Sequence, residues 1–201
     1  ILPDPATKSF ENLKWPPALT YLEAMSFHSA TILWNLPQQL THLDISLQCE
    51  LSHSFLERVN HTYDCSLLPR GLIYCSVAGL YMKPFKLPAA NLPPRLETLH
   101  MNVDFSEGVD YRGVFPQSIT SYLGEIQALP RLDDVFPNLK NIDFQLTELQ
   151  MQHLPPRLEV IPPTGYPSRD VRALPRSIRE LNLALEPEHI LDLPPLLTVL
   201  N

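Results

Sequence analysis

Residues 92 to 103 read LPPRLETLHMNV, and copies of this stretch return about every twenty residues from Trp15 to the end of the chain. Pro93 and Pro94 each hold φ near −65° and lack a backbone donor, so the chain reaches Leu96 extended and cannot be helical just before it. Apolar side chains follow at Leu96, Leu99 and Met101. The last two have the alternation of a short strand with one buried face. A single strand of this kind is unstable alone, and three or more copies stacked as a parallel sheet make a continuous core.

The copies run outward from that stretch in both directions. Before it stand WPPALTYLEAM from Trp15, LPQQLTHLDISL from Leu36 and LPRGLIYCSVAGL from Leu68. After it come FPQSITSYLGEI from Phe115, FPNLKNIDFQL from Phe136, LPPRLEVIPPTGY from Leu154, LPRSIRELNLAL from Leu174 and LPPLLTVLN from Leu193. Three departures stand out. FPQSITSYLGEI puts Gly124 in a core place, FPNLKNIDFQL has one residue fewer between Pro and Leu, and Pro162 and Pro163 interrupt the strand of the seventh copy, which is therefore expected to be short.

Pro69 follows Pro37 by 32 residues, whereas the later steps between motif prolines are 24, 23, 21, 18, 20 and 19. About ten residues must loop out there, which places an insert near 49–66. Within it, Phe55, Leu56 and Val59 have the spacing of a helical turn or two. Residues 1–14 are a lead-in or the tail of a preceding repeat, and 15–201 form about nine repeats. The absence of an initial Met and the end within a repeat lead us to expect a fragment of a longer chain.

Composition supports a folded repeat. Pro accounts for 22 of the 201 residues, about twice the usual share of ~5%, yet most lie in register with the motif. Apolar residues make up 44%, too many for a disordered Pro-rich chain. A net charge of −7 and a pI near 5.4 argue against nucleic acid or an anionic membrane as partner. No apolar run approaches the roughly 18 residues of a membrane span. Three cysteines, Cys49, Cys65 and Cys75, are an odd number without the density of a secreted framework. An intracellular, cytoplasmic location is expected.

Nine copies of an apolar-Pro-x-x-Leu-x-x-Leu unit resemble the leucine-rich repeat family; the Pro-containing form is similar to the short repeats of bacterial effectors and to the FNIP-type repeats of protists, and RSIRELNLAL resembles the latter in particular. The resemblance implies a β-rich α/β solenoid, a right-handed coil with a concave parallel sheet and short extended or 3-10 segments on the convex side. It also implies an Asn after each strand that bonds neighbouring turns. No Asn occupies those places here.

Register then sorts the side chains. Positions flanking the buried strand Leu face the concave side in three columns. Among their 24 places stand five acidic residues, Glu23, Asp44, Glu125, Asp143 and Glu180, and no Lys or Arg, although the chain carries 15. Arg70, Arg95, Arg157 and Arg176 lie instead between Pro and Leu. Tyr21, Glu23, His42, Asp44, Tyr74, His100, Asn102 and Asp143 are the candidate partner-binding residues, and a basic segment of another protein is the expected ligand. The bland alternative is that an acidic protein simply exposes acidic residues.

Other chemistry is thinner. Cys49, His53, His61 and Cys65 form a C-x3-H-x7-H-x3-C arrangement whose soft donors suit tetrahedral zinc, but the spacing matches no standard finger and two Cys and two His in one loop explain it as well. A Cys–His nucleophile lacks an orienting group and an oxyanion site. Asn60 lies in a glycosylation sequon that matters only in a secreted protein, and Trp15 and Trp34 sit where packing accounts for them. The expectation is a non-enzymatic interaction or scaffold module without cofactor, within a hetero-complex and possessing no membrane insertion. The alternative is the substrate-recognition domain of a longer enzyme such as a ubiquitin ligase.

Overall fold

The computed structural model describes residues 14–27, 35–48, 65–80, 92–101, 110–124, 129, 131–144, 146–161, 171–181 and 192–200. The lead-in over 1–13, the helical turn expected at 55–59, most of the insert, Trp34, Asn60 and Asn102 lie outside these residues. The chain divides into two compact units, Ile1–Asp104 and Phe105–Asn201. Each is a parallel-strand β-solenoid with few helices.

In the first unit the strands are β1 (Tyr21–Phe27), β2 (His42–Gln48), β3 (Tyr74–Leu80) and β4 (Thr98–His100). They pair in sequence order, with Tyr21, His42, Tyr74 and Thr98 side by side and Leu22, Leu43, Cys75 and Leu99 forming the next row. The second unit contains β5 (Ser121–Leu123), β6 (Asn141–Asp143), β7 (Val160–Ile161), β8 (Glu180–Leu181) and β9 (Val199–Leu200). Its strands again pair parallel to their sequence neighbours. β7 and β8 are each described over two residues, and Pro162 and Pro163 lie outside the described residues.

The motif prolines act through a turn. In the opening stretch the Leu96 amide donates to the Pro93 carbonyl at 3.1 Å, and the same closure joins Leu40 to Pro37, Leu72 to Pro69, Leu158 to Pro155 and Ile178 to Pro175. Each of these prolines supplies the accepting carbonyl and lacks only a donor that the turn does not need, and where a second proline follows, as at Pro94 and Pro156, its fixed φ suits the first corner. In the copy with the short spacing the closure runs from Leu139 to Phe136. Phe136 therefore takes the first-Pro place and Pro137 the second. Counted by turn acceptors from Pro116 through Phe136, Pro155 and Pro175 to Pro194, the second unit steps by 20, 19, 20 and 19, and the irregularity seen in the proline spacing disappears.

Within each unit, successive described turns are tied by one carbonyl that accepts two amides. Thr41 and His42 both donate to Thr20, Ile73 and Tyr74 to Thr41, Glu97 and Thr98 to Ile73, and Glu159 and Val160 to Lys140. Beneath these ties lies the core. Leu40, Leu43, Ile45, Leu72, Leu96 and Leu99 are completely or almost completely buried in the first unit, as are Ile119, Leu139, Leu158 and Ile178 in the second. Burying one such side chain contributes about 1.5–3 kcal/mol, more than the ~1 kcal/mol net of one hydrogen bond. Leucine stacking thus outweighs each tie and sets which face is inside.

Phe115, Tyr122, Phe136 and Phe144 pack together in the second unit, with ring centroids 4.6 Å apart for Phe115–Phe136, 5.3 Å for Tyr122–Phe136 and 6.0 Å for Tyr122–Phe144. Burial pushes the Tyr122 phenol up. Gly124, which follows this strand, has φ 145°, a conformation that side chains rarely adopt. The core place it occupies is given over to backbone geometry.

Side chains do part of the work expected of an Asn ladder. Gln150 is fully buried and donates from Nε2 to the Leu129 carbonyl, 21 residues away, at 2.9 Å. Asn138 donates to Gln117, and Ser177 Oγ lies 2.7 Å from the Leu158 carbonyl. The segments between strands include 3-10 turns at Cys65–Leu67 and Val171–Ala173 as expected, but also two single-turn α-helices, α1 (Leu132–Val135) and α2 (Glu148–Met151). α2 forms because Thr147 and Gln150 make a capping box, each side chain bonded to the other's backbone amide.

Candidate functional site

Alternation along β1 to β4 turns Leu22, Leu43, Cys75 and Leu99 inward and leaves the residues on either side of them facing out. The first outward row is Tyr21, His42, Tyr74 and Thr98. Its three rings form a stacked ladder, with centroids 5.9 Å apart and planes at 29° for Tyr21–His42, and 6.2 Å and 17° for His42–Tyr74. Tyr21 is 56% exposed. The second outward row is Glu23, Asp44, Ser76 and His100. β1 and β2 thus each carry a ring and, two residues on, a carboxylate.

These side chains are held. Tyr21 donates its hydroxyl proton to Glu23 Oε2 at 2.8 Å, and that bond together with the charge of Glu23 raises the phenol above its ordinary value. The Thr41 hydroxyl donates to the Thr20 carbonyl at 3.1 Å and lies 2.9 Å from His42 Nδ1. The contact holds the His42 ring at Nδ1 and leaves Nε2 as its other polar atom. His100 Nδ1 lies 3.2 Å from Ser76 Oγ. Ser76 itself is only 2% exposed, although register puts it on the outward side. A short side chain between Asp44 and His100 is overtopped by its longer neighbours.

The four strands contain no Lys or Arg. Arg70, in the turn before β3, donates to the Leu92 carbonyl at 3.3 Å. The carboxylates that these strands themselves carry are exposed Glu23 and half-buried Asp44.

The structure brings together Tyr21, Glu23, His42, Asp44, Tyr74 and His100. Asn102 lies outside the described residues. Asp143 is exposed on β6 of the second unit, where no aromatic ladder accompanies it. Ahead of β6, β7 and β8 runs an ionic row in which Glu159 faces Lys140 at 3.2 Å and Arg179 at 3.8 Å. Such exposed pairs contribute little stability. Sequence reasoning missed Thr41 and Ser76 as the residues holding the two histidines. The signal for the ladder was present, since three successive repeats carry an aromatic ring in the same column.

Cys65 and Cys75 are both buried, and burial is the main cause that pushes the Cys75 thiol up. Of the four candidate zinc ligands, Cys49, His53 and His61 lie outside the described residues, and among the described ones no group of three or more His, Cys, Asp or Glu could hold a metal ion. No helix among the described residues is long and apolar enough to cross a membrane. No family model matches the chain, and neither a curated protein nor a solved structure matches it.

Proposed function

We propose that the chain is a non-enzymatic interaction or scaffold module of leucine-rich-repeat type that binds a basic segment of another protein within a cytoplasmic hetero-complex. One observation carries this reading: the outward face of β1–β4 joins a three-ring ladder to two carboxylates, on strands that contain no Lys or Arg. Rings supply contact area at low entropic cost and carboxylates supply steering and register.

The test is a Glu23→Lys, Asp44→Lys double variant, carried through crosslinking and mass spectrometry of the native complex. Both residues retain solvent contact, so thermal unfolding of the variant should match the parent. The expected result is loss of crosslinks from the first unit to Lys- and Arg-rich peptides of a partner. An unchanged crosslink set on a folded variant overturns the reading.

A further inference from the structure

We propose that the Tyr21–His42–Tyr74 ladder selects arginine over lysine, and that its ligand is an extended segment with arginines at alternate positions lying across β1, β2 and β3. The inference rests on the interaction reading above and adds the chemistry of the ligand.

Spacing is the first argument. Ring centroids succeed one another at 5.9 and 6.2 Å, and side chains on one side of an extended segment succeed one another at about 6.6 Å. The mismatch is well under 1 Å per step. Consecutive residues would turn every second side chain away from the face, and a spacing of three would overshoot the neighbouring ring.

Chemistry is the second. Tyr21 with Glu23, and His42 with Asp44, are two ring–carboxylate pairs in register on adjacent strands. A guanidinium is flat and weakly hydrated, so it can rest against a ring while its parallel N–H groups meet the carboxylate. An ammonium is compact and strongly hydrated, and gains less from the ring. Glu23 uses one oxygen to accept from Tyr21, which orients the carboxylate beside the ring and leaves its other lone pairs available. The third ring, Tyr74, has Ser76 in place of a carboxylate, so two arginines are expected to bind through charge and a third residue through contact alone.

The probes are fluorescein-labelled peptides with a central Arg-Gly-Arg, Lys-Gly-Lys or Arg-Gly-Gly-Arg, titrated with the full chain and followed by anisotropy in low salt. Arg-Gly-Arg should bind at least about fivefold tighter than either control, and Tyr21→Leu or the pair Glu23→Gln with Asp44→Asn should each weaken it about tenfold. Glu148→Gln, exposed on α2 of the other unit, should leave it unchanged. Equal affinity for the Lys-Gly-Lys peptide, or indifference to Tyr21→Leu, overturns the selection of arginine. If no basic peptide binds while the charge-reversal variant still loses its partner crosslinks, the ligand assignment fails and the interaction reading stands; if those crosslinks also persist, both fail.

Discussion

Truncating Leu99 to Ala should cost about 3–4 kcal/mol, and the figure follows from where the side chain sits. Leu99 is 0% exposed, on β4 beside Cys75 of β3. The substitution removes three carbons from the core, worth about 2.4 kcal/mol at ~0.8 each. A residual cavity of roughly 40 Å³ adds about 1 kcal/mol more. Thr98, its half-exposed neighbour, should tolerate Ala within about 0.5 kcal/mol. His100→Ala should lose about 1 kcal/mol through its bond to Ser76. Leu99→Asp goes further, because it buries a charge without a partner, and should unfold several turns. Urea unfolding followed by far-ultraviolet circular dichroism measures all four, with the midpoint shifting at constant slope for the milder variants. A loss below about 1 kcal/mol for Leu99→Ala, or an equal loss for Thr98→Ala, would refute the register on which every surface assignment depends.

Other outcomes follow from the same structure. Leu181 is 1% exposed and its partner in register, Leu200, is 47% exposed, so Leu181→Ala should cost about 2–4 kcal/mol and Leu200→Ala less than about 1 in the same unfolding assay. Gln150→Leu should destabilise by about 2–4 kcal/mol, since it strips the Leu129 carbonyl and the Thr147 amide of their partner, whereas Thr147→Ala should cost only about 1. Folding holds the Cys75 and Tyr122 protons above their ordinary values, so their contribution is intact at neutral pH and is lost as pH rises above about 8.5 and then about 10, where the unfolded groups ionise first. Denaturant midpoints measured from pH 7 to 10.5 should fall accordingly. At pH 8, iodoacetamide should leave Cys75 unmodified in the folded protein and modify it in urea, as site-resolved mass spectrometry can show.

Much of the solenoid was legible because it rests on local chemistry repeated many times. Pro93 with Leu96 forecasts an extended entry and a turn, and Leu99 with Met101 forecasts a strand with one inner face. Each copy repeats the same statement, so an error in one does not shift the rest. Phe136 was misplaced for the opposite reason: proline was taken as the marker of the motif, whereas the carbonyl that closes the turn defines it, and any residue can offer a carbonyl. The helix at Glu148–Met151 was written in a Thr-x-x-Gln capping box, a signal masked by attention to the repeat period. The bond from Gln150 to the Leu129 carbonyl had no such signal, because its acceptor lies 21 residues away in the preceding turn.

For the candidate face, column membership followed from period two, and Tyr21, His42 and Tyr74 could be aligned by counting. Counting could not place their rings against one another. Stacking depends on rotamers chosen in three dimensions, on Thr41 holding His42 and on Glu23 holding Tyr21. The burial of Ser76 likewise depends on its neighbours across the sheet. By itself, then, the sequence determined the repeat, the inner leucines and the outward columns, since these follow from backbone periodicity and hydrophobic burial. Only the tertiary structure decided which outward residues act together, because contacts between turns join atoms some twenty residues apart.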